Sequence, residues 1–405
     1  MEEQIPRLRK DIEIIPTFYE GKRALLVRDS LGLIKEPFLL HGEILSFLSL
    51  IDGKRTIRDI QADLVRIRNG VFISSEEVAK ILGQLDSLFL LESDRYHREK
   101  EEITSSYSHL PTRVAYHAGR SYPQQKEELR MFLQSFFDMK GDTSLPFEDK
   151  EIGVLVAPHV DLKAGMRVYA RAYQAIKELC PSRVLLLGTG HSLHESLFCL
   201  TEKDFETPLG TVETDKVWVR RLRDAGEGII TTHDIAHRSE HSLEFQILFL
   251  QHLFGSDFSL IPILCGSFQG YLQEYRRPRE IPGMGRFLAE FQNCVEDSDS
   301  TLVVVGVDLS HVGLKFGHDR RAVFLKMEAK GHDKALLDAL CEGNVVKFWG
   351  EARRVNNRYN VCGLSCLATL LEIHPEKRGY LLDYEFWQEE STQSAVGFAA
   401  VVIER

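Results

Sequence analysis

The sequence predicts an α/β protein: a predominantly parallel sheet with helices on both faces, preceded by a small α+β winged-helix-like domain. Three apolar runs rich in β-branched residues carry the first part of that expectation. They are Val154-Leu-Val-Ala-Pro-His159, Val184-Leu-Leu-Leu-Gly-Thr-Gly-His191 and Leu302-Val-Val-Val-Gly-Val-Asp-Leu-Ser-His311. Short uncharged runs of this kind read as strands buried on both faces, hence as members of a parallel sheet. From about residue 112 onward, helical patterns alternate with such strands, as a sheet covered on both sides requires. The first hundred residues show hairpin and helix signals of their own.

In chain order, Ile12-Glu-Ile-Ile-Pro-Thr-Phe-Tyr19 and Arg23-Ala-Leu-Leu-Val-Arg28 are two strands joined across Glu20-Gly-Lys22. An amphipathic helix around Glu43 to Ile51 stops at Asp52-Gly53. Thr56 caps a second helix, Ile57 to Ile67, closed by Asn69-Gly70. Ser74-Ser-Glu-Glu77 has the capping-box pattern and opens a third helix, with Val78, Ile81, Leu82, Leu85 and Leu88 on its apolar face. Residues 94–110 are polar and charged without apolar periodicity, so they read as a helix end and linker. The expected organisation is therefore a module over 1–100, a linker over 101–113 and a main domain over 114–405.

A winged helix that binds DNA should show a basic excess. Residues 1–100 hold 16 Lys or Arg against 17 Asp or Glu, which argues against that role. The arrangement resembles PqqD-like domains, and the resemblance implies peptide binding by strand addition at the hairpin edge.

Further along, Gly165 to Leu179, Asp215 to Ala225 and Glu240 to Phe254 are predicted amphipathic helices. Ser259 to Cys265, Gly379 to Tyr384 and Ala395 to Ile403 are predicted strands.

Composition narrows the partners. At 43% hydrophobic and 27% charged, the chain has the make-up of an ordinary globular protein. Its net charge of −10, with no basic block, speaks against nucleic acid, whose affinity comes mainly from Lys and Arg. No apolar run approaches the roughly 18 residues that span a membrane. The first residues, Met1-Glu-Glu-Gln-Ile-Pro-Arg7, lack a basic segment followed by an apolar stretch, so the expected location is cytoplasmic. Seven scattered cysteines are expected to be reduced and mostly buried.

The chemistry concentrates where strands end. In an open α/β sheet, ligands bind beyond the carboxyl ends of the strands. His159, His191 and the Asp308–His311 pair stand there after three different strands, and histidine is the commonest metal ligand. Cys362 begins Val361-Cys-Gly-Leu-Ser-Cys366, a helix entered from a loop, where the positive end of the helix dipole favours a thiolate. That suits a nucleophile or a soft metal ligand. Cys366, one turn further, is expected to face the core.

Glu240-His241-Ser242-Leu243-Glu244 opens a long helix and places two carboxylates on one face with His241 beside them, a candidate acid/base group. His233, His237 and His241 would make a zinc face on a helix, but Thr231 to Glu240 reads as a loop. No phosphate loop, dinucleotide fingerprint or serine-hydrolase elbow is present.

Taken together, these residues resemble the Memo family (mediator of ErbB2-driven cell motility), whose bacterial members occur as protein B of the AmmeMemoRadiSam system. The resemblance spans about residues 114–405. It rests on Tyr116-His117-Ala118-Gly119, Ala157-Pro158-His159, Leu187-Gly188-Thr189-Gly190-His191, Glu240-His241-Ser242-Leu243-Glu244, Asp308-Leu309-Ser310-His311 and Cys362-Gly363, in the family's order. It implies a fold similar to class III extradiol dioxygenases. It also implies a metal held by His159, His191 and Cys362, with Asp308, His311, Glu240 and His241 as catalytic candidates. Two histidines with a thiolate favour iron or copper, with zinc also admissible, over magnesium or calcium. Where the family often reads Pro-His-Ala-Gly-Tyr, this chain has Pro158-His159-Val160-Asp161-Leu162, and Ser192 stands where a second histidine is common.

Two functions follow from that resemblance. The first is a metal-dependent redox protein of the dioxygenase-like type, acting on a peptide or protein delivered by residues 1–100. The second is a non-catalytic scaffold that recruits substrate to a partner radical S-adenosylmethionine enzyme, with an AMMECR-type protein as a further implied partner.

Overall fold

The computed structural model describes residues 4–20, 22–42, 44–67, 69–139, 151–298 and 300–405. The chain divides into two compact units, residues 1–109 with 314–317, and residues 110–313 with 318–405. No helix among the described residues is long and apolar enough to cross a membrane.

In the first unit, β1 (Glu13–Tyr19), β2 (Lys22–Arg28) and β3 (Phe38–His41) form an antiparallel sheet in that order. The expected hairpin is present, and a third strand too short to carry a periodic signal joins it. Four helices follow: α1 (Ile44–Leu48), α2 (Ile57–Ile67), α3 (Ser75–Ser87) and α4 (Asp94–Ser108). The predicted capping box at Ser74 and Glu77 forms. Residues 94–108, expected as a helix end and linker, make a complete helix. Its buried side chains are Tyr96 and Tyr107, about three turns apart, a face that the charged composition concealed. The core of this unit includes Val27, Ile60, Leu64, Val78 and Leu90. Arg9, buried in this unit, pairs with Asp29 and Asp11, and the Tyr96 hydroxyl donates to Asp11.

The second unit runs β4 (Thr112–Arg113), α5 (Lys126–Phe137), β5 (Ile152–Ala157), α6 (Met166–Gln174), β6 (Arg183–Thr189), β7 (Phe198–Leu200), β8 (Asp204–Thr207) and β9 (Gly210–Val212). It continues with α7 (Lys216–Ala225), α8 (His241–Phe254), β10 (Ser259–Cys265), α9 (Met284–Glu296), β11 (Thr301–Gly306) and β12 (His311–Gly313). It closes with α10 (Ala322–Cys341), α11 (Val345–Arg354), α12 (Leu364–Ile373), β13 (Gly379–Glu389) and β14 (Ser394–Glu404).

Eight strands form the main sheet, in the order β12-β14-β5-β11-β6-β10-β7 with β13 paired to β14. The four central strands β5, β11, β6 and β10 are parallel. The flanks are antiparallel, so the sheet is mixed rather than predominantly parallel. The closing strand β14 is buried along almost its whole length, and a run buried on both faces reads the same in either direction.

Side chains alternate across the sheet. Val154, Leu185 and Val303 join one core with α7, α9, α11 and α12. The alternate positions meet α8, as the close neighbours of Gly188 and Gly306 show. Helices therefore cover both faces.

Candidate metal centre

Three strand ends and two helix starts meet at one rim. His159 follows β5, His191 follows β6, Asp308 follows β11, and Cys362 precedes α12. Glu240 is the N-cap of α8 and His241 its first residue. Two glycines allow α8 to come this close. Gly188 and Gly306 are register partners on β6 and β11. A Cβ on Gly188 would stand 2.5 Å from Ser242 Oγ, and one on Gly306 would stand 2.4 Å from the Ser242 carbonyl oxygen. A side chain at either position would push the first turn of α8, and His241 with it, off the rim.

The imidazoles of His159, His191 and His241 form a triangle. Ring centroids are 5.0 Å apart for 159–191, 5.1 Å for 159–241 and 4.8 Å for 191–241. Two of the rings are held through Nδ1. His159 Nδ1 faces the Gly306 carbonyl at 3.0 Å, and His191 Nδ1 faces Glu240 Oε1 at 3.0 Å. His241 Nδ1 lies 3.2 Å from the same carboxylate oxygen. A carbonyl or carboxylate oxygen only accepts, so Nδ1 of His159 and of His191 carries a proton and Nε2 is the nitrogen left to face a metal ion.

The ligating atoms of these three side chains lie within 4.8 Å of one another, as do those of His159, Asp308 and Cys362. Cys362 Sγ is 3.3 Å from His159 Nε2, and Asp308 Oδ2 is 3.5 Å from it. This set of imidazole, thiol and carboxylate donors fits a transition-metal ion. A cavity of about 680 Å³ opens beside His191 and Cys362, walled in part by Ser267, Gln269, Asn356 and Asn360. It leaves room for a further ligand or a substrate.

The electrostatics divide by residue. Burial, aided by His191, pushes His159 down to about 3, which keeps it neutral and able to ligate. Burial also pushes His241 well down. For His191, burial opposes charge, but Glu240 and Cys362 outweigh it and raise the imidazole well above its usual value. Glu240 is buried, yet His191 and His241 hold it well below the usual carboxylate range. Its oxygens also accept from the backbone N–H groups of His191, His241 and Ser242. Burial raises Asp308 to about 6, against the pull of His311 and of the His159 and Val160 N–H groups.

Several expectations are corrected by this geometry. Burial, the dominant influence on Cys362, pushes the thiol up rather than down, with His191 opposing it, so the helix start alone does not make a thiolate. Glu244 does not face the rim with Glu240. It is 1% exposed and pairs with Arg113, while accepting from the Tyr122 hydroxyl and from the N–H groups of Tyr116 and His117. The loop expected over Thr231 to Glu240 is present: His237 ends a single 3-10 turn and faces the Cys199 carbonyl, so His233, His237 and His241 do not share a helix.

The rim does bring together His159, His191, Cys362, Asp308, Glu240 and His241. His311 starts β12, with Nδ1 2.9 Å from the Leu309 carbonyl, close enough to bear on Asp308 and His159. Cys366 is buried, and all seven cysteines are unpaired. Sequence reasoning took His241 as an acid/base group and did not see it beside the two strand-end imidazoles. It missed Arg113 altogether, whose guanidinium also donates to the carbonyls of His237 and Glu240. A lone arginine after a short polar stretch gives no pattern to find.

Residues 113–402 match the family model described as Memo-like protein. A MEMO1 family protein of Aquifex aeolicus is 31% identical over 380 residues, covering 93% of this chain and 95% of its own length. One from Thermus thermophilus is 29% identical over 86% of this chain and 99% of its own. A third, from Methanosarcina acetivorans, is 27% identical and is matched over 97% of its length by 71% of this chain.

Proposed function

The chain belongs to the Memo-like family, and from that premise we propose that it is a metal-dependent redox protein whose single ion sits at His159. His191, His241 and Cys362 surround that position, and iron or copper is the ion their chemistry favours, with zinc also admissible. The observation that carries this reading is the cluster of three imidazoles whose ligating atoms lie within 4.8 Å of one another, two of them fixed at Nδ1. An ion there would supply redox or oxygen chemistry through an open position facing the cavity.

The chain's own groups would divide the remaining tasks. Asp308 Oδ1 accepts from the N–H groups of His159 and Val160, which fixes the turn after β5. Asp308 Oδ2 is then the carboxylate oxygen nearest the centre, at the place a two-histidine, one-carboxylate dioxygenase-like site needs one. His311 is the group proposed to give or take a proton at the substrate. Glu240 orients His191 and His241. On this reading the mixed sheet is an extradiol dioxygenase-like scaffold.

The first unit would present a peptide or protein substrate at an outer strand of its β1-β2-β3 sheet, in the PqqD-like manner. The Methanosarcina relative is nearly all matched by less than three-quarters of this chain, so the family's shared chemistry is proposed to reside in the second unit. A radical S-adenosylmethionine enzyme and an AMMECR-type protein are the partners this setting implies.

The test is the metal content of protein purified without a histidine tag and exposed anaerobically to ferrous or cuprous ion. One ion per chain is expected, with none retained by His159→Ala. Wild-type protein that stays empty would remove the redox reading and leave the recruiting scaffold.

A further inference from the structure

We infer that the outer face of α10, in the second unit, is a docking surface for an anionic lipid bilayer, which the protein meets peripherally and reversibly. The inner face of this helix is fixed, with Ala322, Ala329, His332, Asp333, Leu336 and Leu340 buried. The outer face departs from that of an ordinary surface helix, whose exposed side is polar. Val323, Phe324 and Met327 stand on its first two turns, 60%, 70% and 82% exposed. Val323 and Phe324 lie four and three residues before Met327, so the three side chains share one stripe.

Cations bracket that stripe along the helix axis. Arg320 and Arg321 precede it, and Lys330 and Lys334 follow on the same side, three and seven residues beyond Met327. Arg320, Arg321 and Lys330 have no acidic partner among the described residues, and Lys330 lies over the Tyr384 ring at 5.9 Å. Lys334 pairs with Asp338 in an exposed i,i+4 contact that is readily given up. Residues 315–334 hold six Lys or Arg against three Asp or Glu, one of the three being the buried Asp333, in a chain of net charge −10.

Unpaired cations around exposed apolar side chains match a partner that is negative outside and apolar beneath, as anionic headgroups over acyl chains are. The apolar side chains project from a convex helix face, so they must enter whatever they meet. A folded protein would need a matching pocket for each, whereas a bilayer interface yields to them anywhere. The long Arg and Lys stems let the charges stay at headgroup level while Phe324 and Met327 go deeper. The acidic remainder of the chain does not forbid this, because charges beyond about 8 Å are largely screened at physiological salt. A helix lying in the plane of the interface needs no membrane-spanning run.

Co-sedimentation of the full chain with vesicles tests this, using phosphatidylcholine alone and phosphatidylcholine mixed with phosphatidylglycerol. Binding is expected to the mixed vesicles only, and is lost in high salt. The double variant Phe324→Ser, Met327→Ser should lower the partition coefficient about tenfold or more, with thermal unfolding unchanged. Arg320→Gln with Arg321→Gln should also weaken binding and flatten its salt dependence. Phe324→Trp should show an emission shift to the blue, relative to wild type, when mixed vesicles are added. Full chain that ignores the mixed vesicles, or that binds them equally well after loss of Phe324 and Met327, would overturn the inference. So would binding of a synthetic acidic amphipathic peptide that the vesicles do not displace, or a dimer in light scattering that Phe324→Ser breaks, since either gives the face to a protein.

Discussion

Two buried glutamates stand one turn apart on α8, and their surroundings differ in kind. Around Glu244 every contact closes on itself. The Arg113 guanidinium, the Tyr122 hydroxyl and two backbone N–H groups all point at the carboxylate, which is thereby held below its usual range against its burial. Around Glu240 the contacts lead outward. The carboxylate faces Nδ1 of two imidazoles, and the far nitrogens of both rings remain for something else. The first region locks residues 113–122 to the helix, and the second aims ligands. A buried charge whose partners are all satisfied speaks of stability, whereas one that orients groups with spare valence speaks of function.

Three measurements can break or sharpen that contrast. The largest effect is expected from Glu244→Ala. Removing one member of a fully buried pair strands the Arg113 charge and should cost about 3–5 kcal/mol in urea unfolding. A loss under about 1 kcal/mol would mean that the Glu244 cluster is not the lock described.

Glu240→Gln should act chiefly on the ion. Metal affinity is expected to fall roughly 10–100-fold in chelator competition, with a smaller change in unfolding because glutamine can still cap α8. Equal losses of affinity from the Glu240 and Glu244 variants, at matched stability, would erase the distinction between the two regions.

The smallest effect belongs to the closed network of the first unit, where Asp11 repeats the Glu244 logic. Burial works against the Asp11 charge, but the Tyr96 hydroxyl and Arg9 win, and its carboxyl lies below the usual value. A lowered folded value adds stability above the unfolded value of about 3.9, and that stability is lost as pH falls through the folded value. The protection factors of the amides around Leu8 and Leu91, which bridge this unit, should therefore fall in acid, and Asp11→Asn should flatten that dependence. An unchanged acid limb in the variant would show that Asp11 carries none of it.

How far the sequence disclosed these regions depends on what each residue needs. His159 and His191 were legible because apolar runs announce strands, and the fold then dictates where a strand-end side chain must point. Asp308 and His311 were legible for the same reason, and Cys362 was legible as the opening of a helix entered from a loop. The place of His241 was not, because it depends on how closely α8 crosses β6 and β11. That closeness rests on Gly188 and Gly306, whose meaning appears only once they sit side by side. The direction of β14 and the helix over 94–108 were hidden for simpler reasons: a fully buried strand shows no polarity, and two tyrosines are a thin signal amid charge. Glu244 was misjudged because spacing along a helix reports a shared face but says nothing of the arginine waiting opposite.

The most direct test of the central claim is anomalous diffraction at the iron edge from crystals loaded with ferrous ion. One peak is predicted, about 2.1 Å from Nε2 of His159 and at ligating distance from His191 and His241. A peak elsewhere in the chain, or none at full occupancy of the soak, would contradict it.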